Sequence, residues 1–205
     1  LTSIAASTLL VNTAPVFAVL LAWLFLREAP SRMLLVAIPV ALVGAALIAV
    51  GDREASPGSL AGNLLALLGA VSLAVYTVVG RGLRAALPLN AYVLGVWATA
   101  ALTLGLLAAA FGAPFTGYDG RTWAAFAALA LVPTIGGHGL VNRSLRYLAA
   151  PTVGLFMLGE PVGASILAWL LFGEIPGPWT LVGGVIVLAA LALVLTQREP
   201  DQSRT

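Results

Sequence analysis

The sequence has no cysteine, so it carries no disulfide framework and no thiolate metal site. It has no lysine either: all ten basic residues are arginine, and the formal net charge is only +2. A nucleic-acid footprint would need a basic stripe interleaved with aromatics, and none is present. Charge of either sign is scarce, at 9% of 205 residues against roughly 25% in an ordinary soluble domain. What fills the chain instead is apolar: 60% of the residues are hydrophobic and the mean hydropathy is +1.04. A soluble fold could not cover its surface with so few polar groups. The bilayer is the solvent that suits this composition, and the fold class read from it is an all-α membrane protein.

A membrane-crossing helix needs about 20 apolar residues. Seven stretches qualify: spans A to G, at residues 4–26, 33–50, 64–80, 92–111, 123–142, 152–172 and 179–195. Turn signals separate them, among them Ser56-Pro57-Gly58, Gly112-Ala113-Pro114 and Ile175-Pro176-Gly177-Pro178. Seventeen of the eighteen charged residues lie outside these spans, as expected when a charge at mid-membrane costs about 3 kcal/mol on insertion scales. Counted over alternate loops, one side holds Arg27, Arg32, Arg81, Arg84, Arg143, Arg146, Arg198 and Arg204. The other side holds Arg53 and Arg121. The basic side is the cytoplasmic one, which places the tail 197–205 inside and the chain in the plasma (inner) membrane.

Two segments match without a gap at an offset of 146 residues: PVFAVLLAWLFLREAP at 15–30 and PVGASILAWLLFGEIP at 161–176. Nine of the sixteen positions are identical, including both prolines, the tryptophans Trp23 and Trp169, and the glutamates Glu28 and Glu174. Spans A and F are therefore equivalent. Span F comes five spans after span A, an odd number, so they run in opposite directions through the bilayer. This is an inverted repeat, an architecture secondary transporters use for alternating access. Spans C to G form one complete five-helix unit at 62–196, and residues 1–51 are the last two helices of its counterpart. The first residue is Leu1, and the offset then leads us to expect about 85 residues and three spans ahead of it, in a ten-helix parent.

This doubled block, Pro-Val-x-Ala followed by Ala-Trp-Leu and Glu-x-Pro, resembles the EamA family of the drug/metabolite transporter superfamily. The Gly159-Glu160-Pro161 step is similar to the family's Glu-Pro, whereas the first unit has Ala14 where the glutamate would stand. The resemblance implies ten helices, a central cavity between two units, and export or uptake of small metabolites. It names no cargo. On this reading the partners are a small-molecule substrate and the lipid bilayer, with no nucleic acid; a homodimer is compatible with it. No cofactor and no metal are expected, and neither is enzymatic activity.

Glu160 is the one charged residue inside a span, roughly 13 Å deep at 1.5 Å per residue. An intramembrane carboxylate is by default a functional-site hypothesis. Two readings stand: a proton or substrate site, or a protonated side chain held by a neighbouring helix. His138, the single histidine, lies at a depth within about one helical turn of Glu160, so the two could form a proton relay. It could equally bond a carbonyl. Asn12, Asn142, Tyr76 and Trp97 are candidate cavity-lining groups, each with core packing as the alternative. Pro15, Pro161, Pro133, Gly136 and Gly137 are candidate helix-break or hinge positions. Gly159 and Gly163 form a Gly-x-x-x-Gly pair that marks close helix contact. Trp23, Trp123, Trp169 and Trp179 sit near span ends as interface anchors, and Glu28 and Glu174 are placed to accept from the first amides of the next helix. Other function classes remain. An intramembrane enzyme would need more than a lone histidine and a lone glutamate; no His-Glu-x-x-His, Gly-x-Ser-x-Gly or paired aspartate occurs. A non-transporting scaffold would fit the composition, and a channel would be expected to show filter loops or charged rings.

Overall fold

The structure, a computed structural model, describes residues 4–51, 60–173 and 175–196. The tail 197–205, the loop around Pro57 and Glu174 lie outside the described residues. Among the described residues, seven helices are long and apolar enough to cross a membrane. They are α1 (Ser7–Leu26), α2 (Arg32–Ala49), α3 (Leu60–Ala86), α4 (Leu89–Ala110), α5 (Gly120–Ser144), α6 (Ala150–Leu171) and α7 (Pro178–Leu195). They follow the expected spans A to G in number and order. The bounds differ in one informative respect: Arg32, Arg81, Arg84, Arg121 and Arg143, read as loop charges, sit inside the ends of helices. Long arginine side chains permit this because the guanidinium can reach past the apolar stem to polar groups.

The chain divides into two compact units, one of residues 1–78 with 149–205 and one of residues 79–148. In the first unit α2 and α7 pack most extensively. The approach is set by glycines. A Cβ at Gly44 would stand 2.7 Å from the Gly183 carbonyl and 2.9 Å from the Val187 nitrogen; one at Gly183 would run into the Gly44 carbonyl and stand 2.9 Å from the Ile48 nitrogen. Backbone meets backbone here, the small-residue packing that brings membrane helices together without help from the hydrophobic effect. Leu34, Ala37, Ile38 and Ala41 of α2 continue the contact with Leu155 and Leu158 of α6 and Ala190 of α7, all buried. Ser31 starts α2 by accepting the Leu34 N–H at 3.1 Å, the N-cap geometry that satisfies one orphan amide.

In the second unit, the end of α3 is tied to the end of α5 by two arginines. Arg81 donates to the carbonyls of Leu145 (3.3 Å) and Arg146 (2.9 Å). Arg84 is only 2% exposed; its Nε donates to the Asn142 carbonyl at 3.1 Å and its Nη1 to the Leu87 carbonyl. Carbonyls at a helix C-terminus lack intrahelical donors, and cationic side chains suit them. Gly80 lets α3 approach closely, since a Cβ there would lie 2.7 Å from the Tyr92 hydroxyl and 2.8 Å from Leu145 Cδ1. At the start of α5, Asp119 accepts the Thr122 N–H at 2.7 Å, and Tyr118, Trp123 and Phe126 form an edge-to-face cluster with centroids 5.4–5.9 Å apart. Trp23, Trp123, Trp169 and Trp179 are all about half exposed near helix ends.

Candidate functional site

The two helices that carry the repeated block are both interrupted, and at equivalent places. In α1 the helical run Ile4–Val11 stops, a turn at Asn12 and Thr13 intervenes, and the helix resumes as Ala14–Leu21. In α6 the run Ala150–Met157 stops, Leu158 and Gly159 form the turn, and the helix resumes as Glu160–Phe172. Adding 146 to 11 gives 157, and to 14 gives 160. The hydrogen bonds repeat as well. Thr13 N–H bonds the Leu10 carbonyl at 3.1 Å and Val16 N–H bonds the Thr13 carbonyl at 3.0 Å; Gly159 bonds Phe156 at 3.0 Å and Val162 bonds Gly159 at 3.1 Å. Each is an i to i−3 bond, a single tightened turn.

Proline explains the placement. Pro15 has no N–H to offer the Val11 carbonyl, and Pro161 has none for Met157, so each break leaves one carbonyl without its ordinary donor. Both prolines follow directly on the resumed helix's first residue, where a missing donor does least harm. The far ends match too. α1 terminates on Arg27 at φ 56° and α6 on Gly173 at φ 73°; the Arg27 N–H bonds the Ala22 carbonyl five residues back, and the Gly173 N–H is shared between the carbonyls of Ala168, five back, and Trp169 at 3.0 Å.

The breaks meet at one cavity of about 50 Å3 within the first unit. From α1 it is lined by Val11, Asn12, Ala14, Pro15 and Ala18; from α6 by Gly154, Met157, Leu158 and Glu160; from α3 by Leu73 and Thr77. Gly154 admits Pro15, whose ring lies 3.5 Å from where a Cβ would be. The volume holds a few waters at about 10–15 Å3 each. Its polar groups are few. Thr77, 2% exposed, donates to the Ala74 carbonyl at 2.9 Å, which leaves its oxygen lone pairs as acceptors. Asn12 Nδ2 is buried with no hydrogen-bond acceptor among the described residues. Glu160 supplies the only ionisable group on the lining.

Of the candidates read from the sequence, the structure brings together Asn12, Pro15 and Glu160, with Pro161 next in the chain. Tyr76 is half-buried on α3 but is not part of this lining. His138, Asn142, Trp97, Pro133, Gly136 and Gly137 belong to the second unit. There Asn142 is fully buried and its backbone carbonyl holds Arg84. Residues Ala130–His138 form a π-helical stretch around Pro133, with Gly136 and Gly137 in it and His138 exposed at its end. Wide turns of this kind gather at functional sites and at helix distortions. Gly163 departs from expectation: a Cβ there meets nothing within 4 Å, whereas Gly159 does abut Leu191 at 3.2 Å. Thr77 and Gly154 went unnoticed in the sequence, since a threonine and a glycine within apolar helices carry no signal of what faces them.

A profile of the EamA-like transporter family matches residues 60–196. The chain belongs to this family. A protein of Streptantibioticus cattleyicolor, named "Probable terminal-alkyne amino-acid exporter", is 33% identical over 194 residues, which span 92% of this chain and 63% of that protein. The uncharacterized transporter YdfC of Bacillus subtilis is 27% identical over 90% of this chain and 60% of its own length. YwfM, an uncharacterized transporter of the same organism, is 26% identical over 100% of this chain and 68% of its own. The chain thus spans about three-fifths of the length of the first two relatives. A solved crystal structure superposes with a TM-score of 0.80 at 19% identity, covering 95% of this chain and 68% of the other, and shares the fold. With seven apolar helices and this family membership, the chain is a multi-pass integral membrane protein.

Proposed function

We propose that this EamA-like chain is part of a secondary active exporter of small organic molecules, in which Glu160 takes up and releases the coupling proton. The observation that carries the reading is the convergence of two repeat-related, proline-interrupted helices on one cavity that Glu160 lines. Interrupted helices at a repeat interface, with freed carbonyls and a half-helix N-terminus, are how many transporters build a site near mid-membrane. The names of the relatives, an exporter and two transporters, point the same way. The arginine distribution supports a chain whose C-terminal tail faces the cytoplasm. The partners this function requires are a small-molecule cargo and the bilayer.

Inverted membrane vesicles from cells expressing the complete reading frame test the reading. A pH gradient is imposed, and a panel of small organic molecules is added in turn. At least one should dissipate the gradient in the wild type, and none should in Glu160→Gln at equal expression. Dissipation by cargo in Glu160→Gln would remove Glu160 from the mechanism.

A further inference from the structure

The repeat is not symmetrical in chemistry. Where α6 has Glu160, α1 has Ala14; where α1 has Asn12, α6 has Leu158. Each interrupted helix therefore contributes one polar residue to the lining of the shared cavity, the buried amide of Asn12 from α1 and Glu160, an exposed residue, from α6. The amide is in an unusual condition. Asn12 Nδ2 is buried and makes no hydrogen bond to any described residue, although leaving such a donor unmade carries a substantial penalty. The rest of the lining gives it little choice. Thr77 is the other side-chain oxygen there, and the remainder is Val, Ala, Pro, Leu, Gly and Met.

We propose that Asn12 is the positioning residue that sets the proton affinity of Glu160. In the state where the carboxyl has released its proton, the turn at Asn12 and Thr13 brings Nδ2 to the carboxylate as a donor. When Glu160 is protonated the amide is released. The inference rests on the proton-coupling reading above and adds to it the group that makes deprotonation affordable inside a bilayer. A hydrogen bond to a charged acceptor favours the charged form. Neither α1 nor α3 offers the cavity a charged or titratable side chain, and α6 offers only Glu160; the Thr77 hydroxyl already donates to the Ala74 carbonyl, so the amide is the side-chain donor left over. The break in α1 falls on this very residue, where the helix passes through the i to i−3 turn at Thr13.

The protonated-carboxyl stretch of Glu160, followed by difference infrared spectroscopy on the reconstituted complete protein, tests this. Glu160→Gln identifies the band. In the wild type the band should vanish on raising the pH through one midpoint. In Asn12→Leu that midpoint should rise by about one pH unit, a tenfold increase in proton affinity. Asn12→Ala, which adds no bulk, should rise likewise, and Asn12→Gln, which keeps the donor, should move less. Thr77→Val should leave the midpoint in place. A midpoint unmoved in both Asn12→Leu and Asn12→Ala overturns the role of Asn12 while leaving the coupling role of Glu160 intact. A midpoint that falls would mean the amide oxygen accepts from the protonated carboxyl, and it overturns the proposal too. Absence of any titrating Glu160 band in the wild type overturns both readings together.

Discussion

Replacing Gly183 by alanine puts a methyl group into a crossing where backbone meets backbone. The added carbon would collide with the Gly44 carbonyl and stand 2.8 Å from Ile48 Cγ1 and 2.9 Å from the Ile48 nitrogen. Two of those neighbours are backbone, so no rotamer change relieves the clash and α7 must withdraw from α2. Overpacking of this kind costs about 1–3 kcal/mol. Alanine recovers about 0.8–1 kcal/mol as the better helix former. Because the obstruction is backbone, the net loss should fall near 1–2 kcal/mol, or a fall in Tm of roughly 2–8 °C for a chain of this size. Gly105→Ala is the matched control: nothing lies within 4 Å of its Cβ, so propensity acts alone and Tm should rise by about 2–4 °C. Thermal unfolding of the purified protein in detergent, read by tryptophan fluorescence and by aggregation onset, measures both. If Gly183→Ala melts at or above the wild type, α2 and α7 do not cross as the structure has them.

Arg27 stands in the left-handed region at φ 56°, where its repeat equivalent is Gly173, so Arg27→Gly should raise stability by about 1 kcal/mol in the same melt. Removing the buried guanidinium in Arg84→Met leaves the Asn142 and Leu87 carbonyls without their donor and should lower stability by about 2–4 kcal/mol, with Arg84→Lys intermediate because a lysine point charge cannot hold both. The hydrogen bonds from Thr122 hold the Asp119 carboxyl below the usual aspartate range. Its capping contribution is therefore complete above the unfolded aspartate pKa of about 3.9 and is lost as the pH falls further, through the folded value. Amide exchange in the first turn of α5 should accelerate over that acid window in the wild type and not in Asp119→Asn.

The membrane-spanning helices were legible because hydrophobic length and the exclusion of charge are local properties of the chain. The equivalence of α1 and α6 was legible from two prolines and a tryptophan in register, and the shared geometry extends to helix breaks, capping bonds and terminal φ values. Pro15 and Pro161 announced the breaks because a missing N–H has a fixed consequence. What stayed hidden depends on which helix faces which. Gly44 and Gly183 lie 139 positions apart, and nothing in either stretch says they touch. Arg81 and Arg84 looked like loop charges marking orientation; their hydrogen bonds to the end of α5 depend on a neighbour that periodicity does not specify. Asn12 was one polar residue among several until the structure placed it on the same cavity lining as Glu160.

Accumulation of a labelled cargo in inverted vesicles, with and without an imposed pH gradient, tests the central claim most directly. The gradient should drive uptake above equilibrium in the wild type, whereas Glu160→Gln, which keeps the shape of the protonated carboxyl but cannot ionise, should reach equilibrium at best and respond to no gradient. Gradient-driven accumulation by Glu160→Gln at the wild-type level would contradict the account.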